Sequence, residues 1–207
     1  MASLYNNKYY HRDLSWLRFN HRVLQEVADK RNPLYERIKF MAIFSSNLDE
    51  FFRVRVSDIR QIKDLDKTLR KKLITKPNAV LKEIKIQVHS LQEEFGAIFK
   101  NQIIPDLKSE GIHLIGYRSF SKSQKKAAED YFNKVLKDKI ELEASYFTSK
   151  DSVFVENECS YITAYISKDK FQVVQIPKDE PRFFVFPSDT EEFCITFIDD
   201  IIKYNLY

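Results

Sequence analysis

The chain has 207 residues, of which 43% are hydrophobic and 31% charged, with a formal net charge of +4. That is an ordinary globular composition, long enough for one large or two modest domains. No run approaches the roughly 18 consecutive apolar residues of a membrane span, and the opening MASLYNNKYYHRDLSW lacks the apolar stretch of a secretory signal, so a cytoplasmic location without a membrane span is expected. Cys159 and Cys194 match no metal-ligand spacing and are too few for a disulfide framework; each reads as a small buried hydrophobe. Gly96, Gly111 and Gly116 are the chain's three glycines, which excludes a Walker-type or Rossmann loop wrapping a phosphate within this chain.

Charge is distributed unevenly. Residues 1–120 hold 22 Lys plus Arg against 14 Asp plus Glu, a balance of +8, whereas the remainder holds 12 against 16, a balance of −4. A nucleotide or polyanion would be drawn to the first part.

In chain order, Asp13 is placed to cap a helix from Leu14 to about Ala28, with Leu14, Leu17, Val23, Leu24 and Val27 as its apolar stripe. Asn32-Pro33 opens a second helix carrying Leu34, Ile38, Met41 and Ala42, expected to end near Ser45. A third helix is expected to start at Asn47, with Glu50 completing a capping box and Leu48, Phe51, Phe52, Val56 and Ile59 at helical spacing. The charge-rich stretch from Asp58 to Lys76 reads as a helix tail and turn. From Pro77, the series Val80, Leu81, Ile84, Val88, Leu91, Phe95, Ile98 and Phe99 predicts a long amphipathic helix, interrupted at Pro105 and stopped by Gly111.

The texture then changes. Ile112–Ile115 reads as a short strand or an extended crossover, and Ser121 with Gln124 opens a helix to about Lys137. Segments 153–155, 161–166, 171–176 and 183–186 are rich in β-branched and aromatic residues and read as strands, two of them joined by a hairpin-length turn at 167–170. These patterns predict an α+β protein: a helical domain over 1–107 and an incomplete domain over 108–207 with a helix and a mainly antiparallel sheet. The closing FIDDIIKYNLY reads as the first turns of a helix.

The segment RDLSWLRFNHRVLQEVAD, followed by NPLYERIKFMAIFSSNLDEFFRVRV, closely resembles the amino-terminal domain of polyphosphate kinases, densely over residues 12–56. QIPKDEPRFFVFP more weakly resembles the start of the family's head domain. The resemblance implies a full-length enzyme that reversibly transfers the terminal phosphoryl group of ATP to polyphosphate through a phosphohistidine, with magnesium. It places the nucleophile, the metal and most phosphate ligands in carboxy-terminal domains absent here, and implies a homo-oligomer when full length. None of His11, His21, His89 and His113 falls where the family has its nucleophile, so no catalytic and no metal-binding residue is assigned and the chain alone is expected to be inactive.

By the same resemblance, Asn47 matches the position that contacts ATP near the adenine, where an amide offers both a donor and an acceptor, with Phe44 and Leu48 as apolar neighbours. The residues by themselves leave a second role open: Asn47 as a helix cap. Arg53 and Arg55 follow the motif directly and are candidates for phosphate or polyphosphate contacts; they open the segment 53–76, which has nine basic and three acidic residues. Asp49 and Glu50 read as first-turn carboxylates that stabilise the helix dipole, not as an acid/base pair. Trp16, Phe19 and Phe40 read as core. Two other functions stay open: a non-catalytic interaction or dimerisation module, and a nucleic-acid-binding helical domain, for which no recognition module is apparent.

Overall fold

The first apolar stripe folds as α1, Arg12–Ala28, with Leu14, Leu17, Leu24 and Val27 buried. The computed structural model describes residues 11–66, 68, 76–140, 146–148, 151–189 and 191–206. His11, not Asp13, stands at the amino terminus of α1: its Nδ1 accepts from the Asp13 backbone N–H at 3.3 Å. Asp13 lies in the first turn and is buried.

After Pro33, α2 runs over Leu34–Glu50 and continues without a break through a π-helical turn, Phe51–Val56, into α3, Ser57–Asp64. The expected stop at Ser45 and restart at Asn47 are therefore overturned. Ser45 and Ser46 are exposed on a continuous rod, and the Asn47 carbonyl accepts from the Phe51 N–H as an interior residue does. Pro33 precedes the first helical residue and does not occupy it. The buried stripe of α2 contains Arg37, Met41, Phe44 and Leu48, whereas Ala42 is exposed. Residues 67 and 69–75 of the expected tail and turn lie outside the described residues.

Pro77 opens α4, Pro77–Ile98, whose buried residues Val80, Ile84, Val88, Leu91 and Ile98 fit the predicted stripe. A second π-helical turn, Phe99–Ile103, leads into α5, Ile104–Ser109. The Ile104 N–H donates to Phe99, five residues back, immediately before Pro105, which has no N–H to donate. The wider turn lets the chain pass the proline without breaking. Gly111, at φ 75°, then supplies the left-handed residue that ends the helix.

The chain divides into two units, Met1–Leu107 and Lys108–Tyr207. In the first, α1 packs on α2 and α4, and α3 packs on α4. Their facing stripes form one core, joined by half-buried Trp16, Phe40 and Phe95. Trp16 stacks on Phe51 with ring centroids 4.7 Å apart, and Phe44 on Phe95 at 5.4 Å. Trp16 and Phe40 are thus core, while Phe19 is exposed with the Arg22 guanidinium over its ring.

The second unit is α+β. β1, Ile112–Leu114, lies parallel to β6, Phe193–Phe197, which pairs antiparallel with β5, Phe183–Val185. A second sheet is antiparallel in the order β2-β4-β3, from Tyr146–Thr148, Lys170–Gln175 and Tyr161–Ser167. α6, Lys122–Tyr131, starts with the predicted reciprocal cap of Ser121 and Gln124 and continues through a π-helical turn at Phe132–Leu136. α7, Ile198–Leu206, packs against α6 and β6. Residues 153–155 are not a strand; Phe154 and Val155 are exposed. Neither cysteine is fully buried: Cys194 packs at the edge of this unit's core, while the Cys159 thiol meets Glu156 at 3.5 Å and accepts from Gln175 at 3.2 Å. Among the described residues no helix is long and apolar enough to cross a membrane.

One ion-pair network ties the helical unit together. The Arg37 side chain is 3% exposed; its Nε donates to the Val27 carbonyl at 2.6 Å, and its two terminal nitrogens reach Asp106 at 2.6 Å and Gln102 at 3.0 Å. Three segments distant in sequence are thus clamped by one planar cation. Arg37→Ala leaves the Val27 carbonyl and Asp106 without this partner and should destabilise the protein by about 3–5 kcal/mol, as breaking a buried pair does. Urea denaturation measures it, and a loss below about 1 kcal/mol would show the clamp to be dispensable.

Candidate functional site

The continuous α2–α3 rod sets the face on which Asn47 lies. Asn20 occupies a position within the apolar stripe of α1 and is 0% exposed. A buried amide must find partners. Its Nδ2 donates to the Phe44 carbonyl at 3.1 Å, and its Oδ1 accepts from Asn47 Nδ2, also at 3.1 Å. Asn47 is half-buried, and its Oδ1 has no hydrogen-bond partner among the described residues. The side chain is therefore held by one end and presents an acceptor at the other.

This arrangement overturns the cap reading of Asn47 and the pairing with Glu50 as a capping box. It also removes the proposed apolar neighbours, since Phe44 and Leu48 are buried in the core beneath. With no helix start at Asn47, no free amides gather there, and the dipole argument for Asp49 and Glu50 lapses. Those carboxylates sit at the end of α2 and face Arg53, Glu50 at 2.6 Å and Asp49 at 4.0 Å.

The two candidate arginines differ. Arg53 is exposed and lies among those carboxylates. Arg55 is half-buried; its Nε donates to Oδ1 of buried Asp13 at 3.0 Å, and its Nη1 lies 3.6 Å from Asp58. Arg55 thus neutralises a carboxylate that α1 buries, which limits the charge it offers to a phosphate. The structure places Asn47 and Arg55 in separate polar contacts with α1, through Asn20 and Asp13. Sequence reasoning took Asp13 as a helix cap and did not single out Asn20; the available signal was a polar residue at the start and another in the middle of an otherwise apolar helical stripe.

The histidines have local roles. His11 caps α1, His21 meets Glu94 at 3.0 Å, His89 lies 3.4 Å from Glu93, and His113 lies 3.4 Å from Glu192. In the second unit a cleft of about 880 Å³ is lined by Tyr117, Arg118, Arg182, Asp199, Asp200 and Lys203 among others. Burial pushes the Asp200 carboxyl up, with Lys203 at 3.7 Å opposing the shift. Among the described residues no group of three or more His, Cys, Asp or Glu side chains converges as a metal site requires.

The fold is thus a helical unit followed by an α+β unit with two small, mostly antiparallel sheets. The chain belongs to the polyphosphate kinase family: the polyphosphate kinase N-terminal domain matches residues 9–115. It is 33% identical over 211 residues to a polyphosphate kinase of Bacillus cereus, covering 98% of this chain and 30% of that protein. It is 34% identical over 206 residues to one of Vibrio vulnificus, covering 96% and 29%. The crystal structure of polyphosphate kinase from Porphyromonas gingivalis superposes with a TM-score of 0.77 at 29% identity, over 95% of this chain and 30% of that one. The chain spans about 30% of the length of these relatives.

The tether between Asn47 and Asn20 makes a prediction that a helix cap would not. Asn47→Ala orphans the buried Asn20 oxygen and should cost about 1–3 kcal/mol. Asn47→Asp should cost at least as much, because a carboxylate cannot donate to that oxygen and brings negative charge beside it. Aspartate serves as well as asparagine at a cap. Equal thermal stability of the Asn47→Asp and unmodified proteins would therefore rule out the tether.

Proposed function

We propose that this chain is the amino-terminal portion of an enzyme that reversibly transfers the terminal phosphoryl group of ATP to polyphosphate, and that its part is to contact the nucleotide at Asn47. Membership of the family supports the reaction class, and the relatives' greater length leaves room for the catalytic histidines elsewhere. The observation that carries the Asn47 role is its tethered amide: Nδ2 is committed to Asn20, while Oδ1 has no hydrogen-bond partner among the described residues and can accept one. An adenine amino group is a matching donor. Because the amide is held before the ligand arrives, less freedom is lost on binding.

Arg53 and Arg55 contribute positive charge near the end of the same rod. Arg53, being exposed, is the better phosphate contact of the two; Arg55 acts first as the partner of Asp13. Magnesium, which the family reaction implies, would serve by neutralising phosphate charge. The described residues do not fit a metal site.

In the full-length enzyme, Asn47→Ala should raise the Michaelis constant for ATP about two- to twelvefold, the equivalent of one neutral hydrogen bond of about 0.5–1.5 kcal/mol, with little change in polyphosphate binding. Steady-state kinetics at a temperature well below the variant's melting point separate affinity from stability. An unchanged constant for ATP would remove Asn47 from the nucleotide site. The 207-residue chain alone should transfer no phosphoryl group. Incubation with radiolabelled ATP and magnesium checks this, and label retained on the protein or in polymer would place the chemistry within it.

A further inference from the structure

The helical unit carries a second feature that the reading of Asn47 does not use. Between the α2–α3 rod and α4 lies a groove of about 620 Å³, a size typical of small-molecule sites. Its floor is apolar, built from Val56, Ile84 and Val88, all buried, with half-buried Leu81 beside them. Phe52 stands at its lip, 40% exposed. That ring sits edge-on to Phe51, which stacks on Trp16, so the ring is backed by the core.

Among the described residues the rim has one sign of charge. Arg60 from α3 and Lys82 and Lys85 from α4 line it, with His89 one turn further along. Among the described residues no carboxylate lines the groove, and Glu93 lies 3.4 Å from His89. Arg60, Lys82 and Lys85 have no ion-pair partner among the described residues, in contrast to Arg37, Arg53 and Arg55. An occupant must therefore be anionic at one end and apolar at the other. A bare phosphate chain would leave the apolar floor unused.

We infer that this groove binds a nucleoside polyphosphate, with the base against Phe52 and the apolar floor and the phosphates between Arg60, Lys82 and Lys85. Aromatic stacking is tolerant of base identity, so either purine suits the site. The two lysines act as point charges on flexible stems and Arg60 adds a planar fork of donors, a combination that fits a di- or triphosphate of variable conformation. Asn47, Arg53 and Arg55 do not line the groove, so this site is separate from the one proposed at Asn47.

Titration of the 207-residue chain with a ribose-labelled fluorescent ATP analogue, without metal, tests the assignment. Lys82→Glu with Lys85→Glu should weaken binding about tenfold or more, since two attractions become repulsions. Phe52→Ala should weaken it about five- to one-hundredfold. Both sites of change are exposed, and circular dichroism verifies that the fold is intact. Unlabelled ATP should displace the analogue at lower concentration than tripolyphosphate. Asn47 lines no part of the groove, so the loss caused by Lys82→Glu with Lys85→Glu should be of the same size in an Asn47→Ala background, which separates the groove from the Asn47 reading. Equal displacement by tripolyphosphate, or insensitivity to the charge reversal in either background, would overturn the proposal. So would binding of an acidic amphipathic helical peptide, blocked by the charge reversal, with no binding of ATP.

Discussion

The buried amide of Asn20 sets the geometry of the helical unit. An amide at a fully buried position on an apolar stripe requires partners for both ends, and leaving them unmet would cost about as much as a small domain can spare. The partners are the Phe44 carbonyl and the Asn47 side chain, both on α2. Apolar contacts alone would allow α2 to slide or turn against α1 with modest loss, since burial is not directional. The pair of hydrogen bonds permits one register. Asn47, Arg53 and Arg55 then take their positions from the rod that this register fixes.

Charge is used in the same way at two further points. Asp13 is buried on α1 and receives Arg55; Arg37 is buried on α2 and receives Asp106, Gln102 and the Val27 carbonyl. Each joins helices that are far apart in sequence, and each carries a directional bond across a contact that packing would otherwise leave loosely specified. Such groups are weak sources of net stability compared with apolar replacements, but they are expensive to break singly. The excess positive charge of the first part of the chain is accordingly not all available to a ligand. Some of it is structural, whereas Arg60, Lys82 and Lys85, on the face formed by α3 and α4, have no ion-pair partner among the described residues.

Much of this architecture was legible in the sequence, and what was not has a common cause. The apolar stripes of α1 and α4, the cap at Ser121, the stop at Gly111 and the hairpin of β3 and β4 follow from local chemistry, and local chemistry is what a sequence displays directly. The Ser-Ser-Asn stretch at 45–47 resembles a helix stop and restart by the same rules, yet the rod continues, because a tertiary bond to Asn20 takes the side chain that would otherwise cap. β6 was missed because its five residues carry no alternation; it is held between β1 and β5 by pairing that only the fold supplies. Residues 153–155 have strand-like composition and no partner strand. At the candidate site, the residue types were readable and the connections were not: nothing adjacent to Asn20 or Asp13 in sequence announces that their partners lie 27 and 42 positions away.

The π-helical turns have a consequence for how this chain compares with its kin. A turn closed five residues back holds one residue more than an α-helical turn, so each behaves as a single inserted position absorbed within a helix. In the Phe51–Val56 turn, the Ser57 N–H reaches back to Phe52. Removing one residue there would restore the ordinary period and rotate everything after it by about 100° relative to everything before it. Asn47 would keep its bond to Asn20, while the residues that now meet Asp13 and those that now line the groove against α4 would exchange faces. A relative with a one-residue gap in this turn would therefore share the first contact with α1 and lack the second, and length variation inside an apparently uniform helix would mark where its two faces can be reassigned independently.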